Sequence, residues 1–350
     1  MRAECHDVIE FSMNDKIKNI QIDADILNLI SKYRTTLMGI AVLWVILHHC
    51  DCNAHCNLGF LYAFPLLNIG YSGVDIFLFL SGFGIYYSLN KMPDVAKFLL
   101  KRFIRFLPAI PIIIAYLIFS KIVSFHVIVG FFTFENFWIR DDFVGYLSYA
   151  FFLYLLSPLL KNIIDNHIKS DVNKFCLFII ALFILTVAYW GTEQLVGISR
   201  ILIYSYGMFL GYSFCNKNTV SKKFLLYSII LSVLGFIMLL IVFLKFGNIR
   251  HYYGLIWYPN LLFIPGLCYM IVIIIDKLKN YINLFLNILN ILGKYSLTIY
   301  CIDYYITTCL KLEPFWHHLF LSLLLGIIYG KLYDILFAHT KSRFVAKNSQ

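Results

Sequence analysis

Two adjacent histidines close the first long apolar run of the chain, and an aspartate opens the second. Imidazole titrates near neutral pH and serves as a general base when a neighbouring group fixes its tautomer. With Arg34 at one rim of a membrane, His49 lies about 22 Å further along the helix, near the opposite rim. Asp75, in GYSGVDIFLFLSGFGIYYSL, sits at nearly the same depth on the antiparallel neighbour. A His49–Asp75 contact there would raise the basicity of the imidazole. The alternatives are a histidine pair that only faces water and a carboxylate that only answers the N-terminal helix dipole.

Arg102 and Arg105, in KRFIRFLPAIP, are three apart and share a helix face. Two guanidiniums so placed make a fork for phosphate, or an anchor for lipid headgroups. Pro108 and Pro111 should kink the helix beyond them. Ser81 either lines a cavity or bonds back to its own helix, and Gly73, Gly82 and Gly84 read as close-packing positions. The run HHCDCNAHC offers Cys50, Cys52 and Cys56 beside the histidines. Its spacing fits no C-x2-C pair, so no metal is expected, and a disulfide remains open.

The elements that must hold these residues are membrane helices. The chain is 61% hydrophobic and 14% charged, against about 25% charged in a soluble domain. Unbroken runs such as FLLYSIILSVLGFIMLLIVFL exclude the short alternating segments of a β-barrel. The expected fold is all-α and polytopic, with about ten transmembrane helices at 36–50, 70–90, 104–124, 143–161, 175–190, 199–215, 223–244, 255–275, 285–309 and 315–337. Residues 125–142 read as an outer loop or re-entrant piece. Alternate loops hold most of the Lys and Arg; the other side has only Lys121, Arg140, Arg200, Lys245, Arg250 and Lys311. That asymmetry puts both termini in the cytoplasm and makes the helix number even. It also accounts for the net charge of +10 without any nucleic-acid partner. Residues 1–33 read as a cytoplasmic lead-in rather than a signal peptide, 34–338 as the membrane domain, and 339–350 as a cytoplasmic tail.

These segments together resemble the acyltransferase-3 family of membrane proteins from about residue 30 to 337. RTTLMGIAVLWVILHH matches its opening pattern at Gly39, Ala41, Val45 and His49. Its second helix is similar at Gly73, Val74, Asp75, Phe77, Ser81, Gly82 and Phe83, and its Arg-x-x-Arg before proline at Arg102, Arg105 and Pro108. GISRILIYSYGMFLG resembles its arginine helix at Arg200 and Gly207, and LGKYSLTIY a late stretch at Gly293, Ser296, Ile299 and Tyr300. Two positions depart. The arginine eleven residues before the histidine is Met38 here, with Arg34 one turn below it, and the histidine three residues after the late tyrosine is Asp303.

The resemblance implies transfer of an acyl group, usually acetyl, from cytoplasmic acetyl-CoA to a hydroxyl of a cell-envelope glycan or lipid-linked sugar in a bacterial plasma or inner membrane. His49 would be the base and Asp75 its orienting acid. Arg102, Arg105 and Arg34 would take the CoA phosphates, and Arg200 and Ser81 would serve the substrate or the oxyanion. The competing class is a transporter or flippase for a lipid-linked sugar or small solute. It would show paired repeats and discontinuous helices, and no repeat is seen.

Overall fold

The computed structural model describes residues 26–52, 65–119, 143–192, 194–217, 222–246, 253–310 and 315–347. The expected outer loop 125–142, the tract around Cys56 and residues 1–25 lie outside the described residues. Among the described residues there is no strand. The main helices are α1 (Ile26–Lys32), α2 (Arg34–Cys52), α3 (Ser72–Lys91), α4 (Val95–Phe106), α5 (Ala109–Phe119) and α6 (Phe143–Ile163). They continue with α7 (Val172–Val187), α8 (Ile201–Cys215), α9 (Lys222–Lys245), α10 (Asn260–Leu278), α11 (Asn283–Lys294), α12 (Ser296–Tyr305) and α13 (Phe315–Lys347).

Five described helices are long and apolar enough to cross a membrane: Ser72–Lys91, Leu195–Cys215, Lys223–Lys245, Asn260–Leu278 and Trp316–Phe337. Three bent pairs bring the number to as many as eight: α1 with α2 (66°), α4 with α5 (50°) and α11 with α12 (70°). α6 and α7 fall on the two remaining segments of the expected ten. The bend between α4 and α5 lies at Leu107–Pro108, where proline cannot supply the next amide; the Tyr329 hydroxyl donates to the Pro108 carbonyl at 2.8 Å.

Two boundaries differ from expectation. α1 buries Ile26, Leu27, Leu29 and Ile30, so the end of the supposed lead-in belongs to the core. Its last turn is tied to α10, where Tyr33 donates to Asp276 at 2.7 Å and Lys32 at 3.0 Å. At the other end α13 runs on to Lys347 as helix. α4 is amphipathic, burying Phe98, Arg102 and Phe106 at a spacing of four. Asp94 caps it by accepting from the Lys97 amide. That bond holds the Asp94 carboxyl below its usual range; the cap is therefore present above that range and lost as pH falls through it.

Water drives no apolar association inside lipid, so helices gain by pressing backbones together at small residues. α3 and α8 do this reciprocally. A Cβ on Gly82 would stand 2.2 Å from the Tyr204 carbonyl oxygen, and one on Gly207 would stand 2.0 Å from that of Phe79. α2 and α11 repeat the arrangement: a Cβ on Gly39 would meet the Leu289 carbonyl oxygen at 2.1 Å and one on Gly293 that of Thr35 at 1.8 Å. Backbone cannot swing aside as a side chain can. Gly207→Ala should therefore destabilise the protein by about 1–3 kcal/mol, seen as a lower thermal midpoint in detergent.

Candidate active site

The two histidines on α2 point to different neighbours. His48 donates through Nδ1 to the Leu67 carbonyl at 3.1 Å and packs edge-on to Tyr71. His49 faces α12, where Nδ1 lies 2.5 Å from Asp303 Oδ2. The carboxylate is wholly buried and the imidazole about one-fifth exposed, at 21%. Tyr300 and Tyr304 flank the imidazole with ring centroids 6.3 and 6.2 Å away.

A carboxylate at membrane depth needs donors on both oxygens, and Asp303 has them. Oδ2 takes the Nδ1–H of His49, while Oδ1 accepts from His318 Nε2 at 2.8 Å and Ser322 Oγ at 3.3 Å. The residue stands just before a π turn, Ile306–Leu310, a feature concentrated at functional sites. There the Thr307 hydroxyl closes on the Asp303 carbonyl at 2.8 Å. In the neutral imidazole, giving Nδ1–H to the carboxylate leaves the lone pair on Nε2. That is the tautomer a general base requires.

The acid beside His49 is therefore Asp303, and the expected Asp75 partnership is corrected. Asp75 points from α3 toward α8 and α10, where Arg200 Nε lies 3.2 Å from Oδ1 and Asn260 Nδ2 donates to Oδ2 at 2.7 Å. Ser72 donates to Asn260 in turn, at 2.9 Å. All four are buried. Arg200 thus meets Asp75 rather than an open site, and the cluster ties three helices at one depth. Sequence reasoning found Asp75 and Arg200 separately and missed Asn260, the polar residue that opens α10. It also treated Asp303 only as a departure from a pattern, although an ionisable residue in the apolar run after LGKYSLTIY is itself a signal. Ser81 is half-buried on the face of α3 that carries Gly84, and among the described residues no hydrogen bond joins it to either cluster.

A third cluster lies toward the Arg34 end of α2. The Arg34 guanidinium rests over Gly84 of α3, so close that a Cβ there would come within 2.5 Å of Cζ. Arg34, Arg102 and Arg105 lie within electrostatic reach of one another. Arg102 occupies an apolar-stripe position of α4, over the rings of Phe98 (5.1 Å) and Tyr154 (6.0 Å). Arg105, one turn on, is exposed. The Nε atoms of Arg34 and Arg102 are buried without a hydrogen-bond partner. Among the described residues no carboxylate pairs with any of the three. Three guanidiniums gathered without a carboxylate have the donor chemistry to hold an anion with several oxygens. Among the described residues no group of three His, Cys, Asp or Glu side chains is arranged to hold a metal ion.

An acyltransferase-domain family model matches residues 36–332, a stretch that contains His49, the Asp75 pair, two of the three clustered arginines and the Asp303 cradle. The chain belongs to the acyltransferase-3 family. No curated protein and no solved structure matches it. As a member of that family the protein is a multi-pass membrane acyltransferase. The Asp75–Arg200 pair bears on stability first. Removing one partner leaves a buried charge uncompensated, so Asp75→Ala or Arg200→Gln alone should cost about 3–5 kcal/mol. The double variant Asp75→Leu/Arg200→Met should lose less than either, measured by thermal unfolding in detergent.

Proposed function

We propose that this acyltransferase moves an acyl group, usually acetyl, from acyl-CoA to a hydroxyl of a cell-envelope polysaccharide or lipid-linked sugar in a bacterial plasma or inner membrane. The observation that carries the reading is the His49–Asp303 contact. A buried carboxylate holds Nδ1 and leaves Nε2 as the base.

In this reading the acceptor hydroxyl approaches Nε2 and gives up its proton as its oxygen attacks the thioester carbonyl. The tetrahedral intermediate collapses with loss of the CoA thiolate, which takes the proton back from the imidazolium. The products are an ester and free CoA. Asp303 stays ionised throughout and stabilises the transient imidazolium, leaving His49 as the group that moves the proton.

Donor phosphates would rest on Arg34, Arg102 and Arg105, on the cytoplasmic side by the excess of basic residues there. The reacting carbonyl would lie about 22 Å away along α2, a span suited to the extended pantetheine arm. Both termini are then cytoplasmic, and the acceptor is met near the outer face, between Tyr300 and Tyr304. Lipids and the glycan are the partners this architecture calls for.

The test is consumption of acetyl-CoA by the purified protein in detergent, read as free CoA. His49→Ala should lower turnover by a factor of at least about 10², with Asp303→Asn close behind it because the tautomer is lost. Undiminished turnover in His49→Ala would remove the proposed base. Gly84→Ala pushes on a flexible side chain rather than on backbone. It should leave the fold intact, displace Arg34 and raise the KM for acetyl-CoA with little change in kcat, as Arg102→Ala should.

A further inference from the structure

The other side of the Asp303 carboxylate is built as carefully as the side that meets His49. His318 and Ser322 are one turn apart on α13, and both are buried. His318 Nε2 approaches Asp303 Oδ1 at 2.8 Å and the Thr307 hydroxyl at 3.3 Å. Thr307 has already given its only hydroxyl proton to the Asp303 carbonyl. Both neighbours of Nε2 are therefore acceptors, which fixes the His318 proton on Nε2. Three donors from two helices then converge on one carboxylate: His49 from α2, and His318 and Ser322 from α13.

We propose that His318, assisted by Ser322, is the positioning residue that sets the basicity of His49 through Asp303; this rests on the general-base reading above. By occupying Oδ1, it turns Oδ2 toward α2 in one orientation and disperses the carboxylate charge. Removing that donor concentrates the charge on the His49–Asp303 pair. The pair then holds an extra proton more tightly, whichever of the two carries it, and titrates at higher pH. Other titratable groups facing the pair are His48 on α2, Tyr300 and Tyr304 on α12, and Tyr116 on α5 behind Tyr304. The buried thiols of Cys50 and Cys301 adjoin them in sequence. Among the described residues no Lys, Arg or Glu pairs with Asp303.

The experiment compares wild type, His318→Leu and His318→Gln in detergent. The Gln amide can replace the Nε2–H; Leu cannot. One readout is the pH profile of kcat for acetyl-CoA turnover. The other needs no turnover: the pH dependence with which diethyl pyrocarbonate modifies His49, resolved from His48 by peptide mass spectrometry, since only the neutral imidazole reacts. In His318→Leu the acid limb of kcat and the modification midpoint should both rise by about one pH unit, roughly tenfold in proton affinity. KM for acetyl-CoA should stay unchanged, and His318→Gln should return both midpoints toward wild type. Loss of activity with neither midpoint moved, or a His318→Gln variant as impaired as His318→Leu, would reduce His318 to a packing residue. If wild type consumes no acetyl-CoA yet the His49 midpoint moves, the coupling stands and the acyl-transfer reading falls; an active wild type with an unmoved midpoint gives the reverse. Should His318→Leu fail to elute as folded protein, Ser322→Ala removes only the longer donor. It should move the midpoint less and in the same direction, and no movement would overturn the proposal.

Discussion

Helix axes in this protein are set by peptide groups touching peptide groups. At the α3–α8 and α2–α11 crossings a carbonyl oxygen occupies the space a Cβ would need, so neither pair can slide or rotate without collision. The Asp75 and His49 contacts both sit on helices fixed by these crossings. Asp75 stands about two turns along α3 from Gly82, and Arg200 immediately precedes α8, so closing that crossing brings the two charges together. His49 lies on the same helix as Gly39, the residue that locks α2 to α11. The 70° bend after α11 then carries the chain into α12 and delivers Asp303 to the imidazole.

Three of the charge clusters among the described residues differ in their balance. Around Asp75 a cation and two neutral polar groups complete the account, and the cluster works as a rivet between helices. At Asp303 one anion is held by donors alone, one of them an imidazole able to change its own charge. Among the arginines no carboxylate within the described residues balances the positive charge, and the Nε atoms of Arg34 and Arg102 are buried without a hydrogen-bond partner. One cluster joins helices through a paired charge, one sets an imidazole on a buried carboxylate, and one gathers cations with no carboxylate beside them among the described residues.

Much of this was legible in the sequence because membranes make sequence periodic and charge expensive. The expected segments overlap helices where they are described, five of them long enough to span and up to eight if each bent pair is one span, and His49 stood out as a polar group at a costly depth, with Arg102 and Arg105 as a basic pair at the inner rim. Arg102 could have been singled out further, since it fills a position in α4 where the spacing of Phe98 and Phe106 calls for an apolar side chain. What could not be read was adjacency. His49 and Asp303 are 254 positions apart, and the choice between Asp75 and Asp303 turns on which side of α2 faces which neighbour. The bends were half visible: proline announced the one before α5, whereas those at Tyr33 and Tyr295 carry no proline. Residues 26–33 misled for a related reason. Their apolar positions are too few for a span, yet enough to bury a short helix against α10.

The π turn after Tyr305 begins directly downstream of Asp303. A π turn carries its hydrogen bonds one residue further along the chain than an α-helix does, and such turns gather at functional sites. Thr307 reaches His318 of α13 from that turn. The cradle around Asp303 is thus closed by the form of the backbone as well as by its side chains.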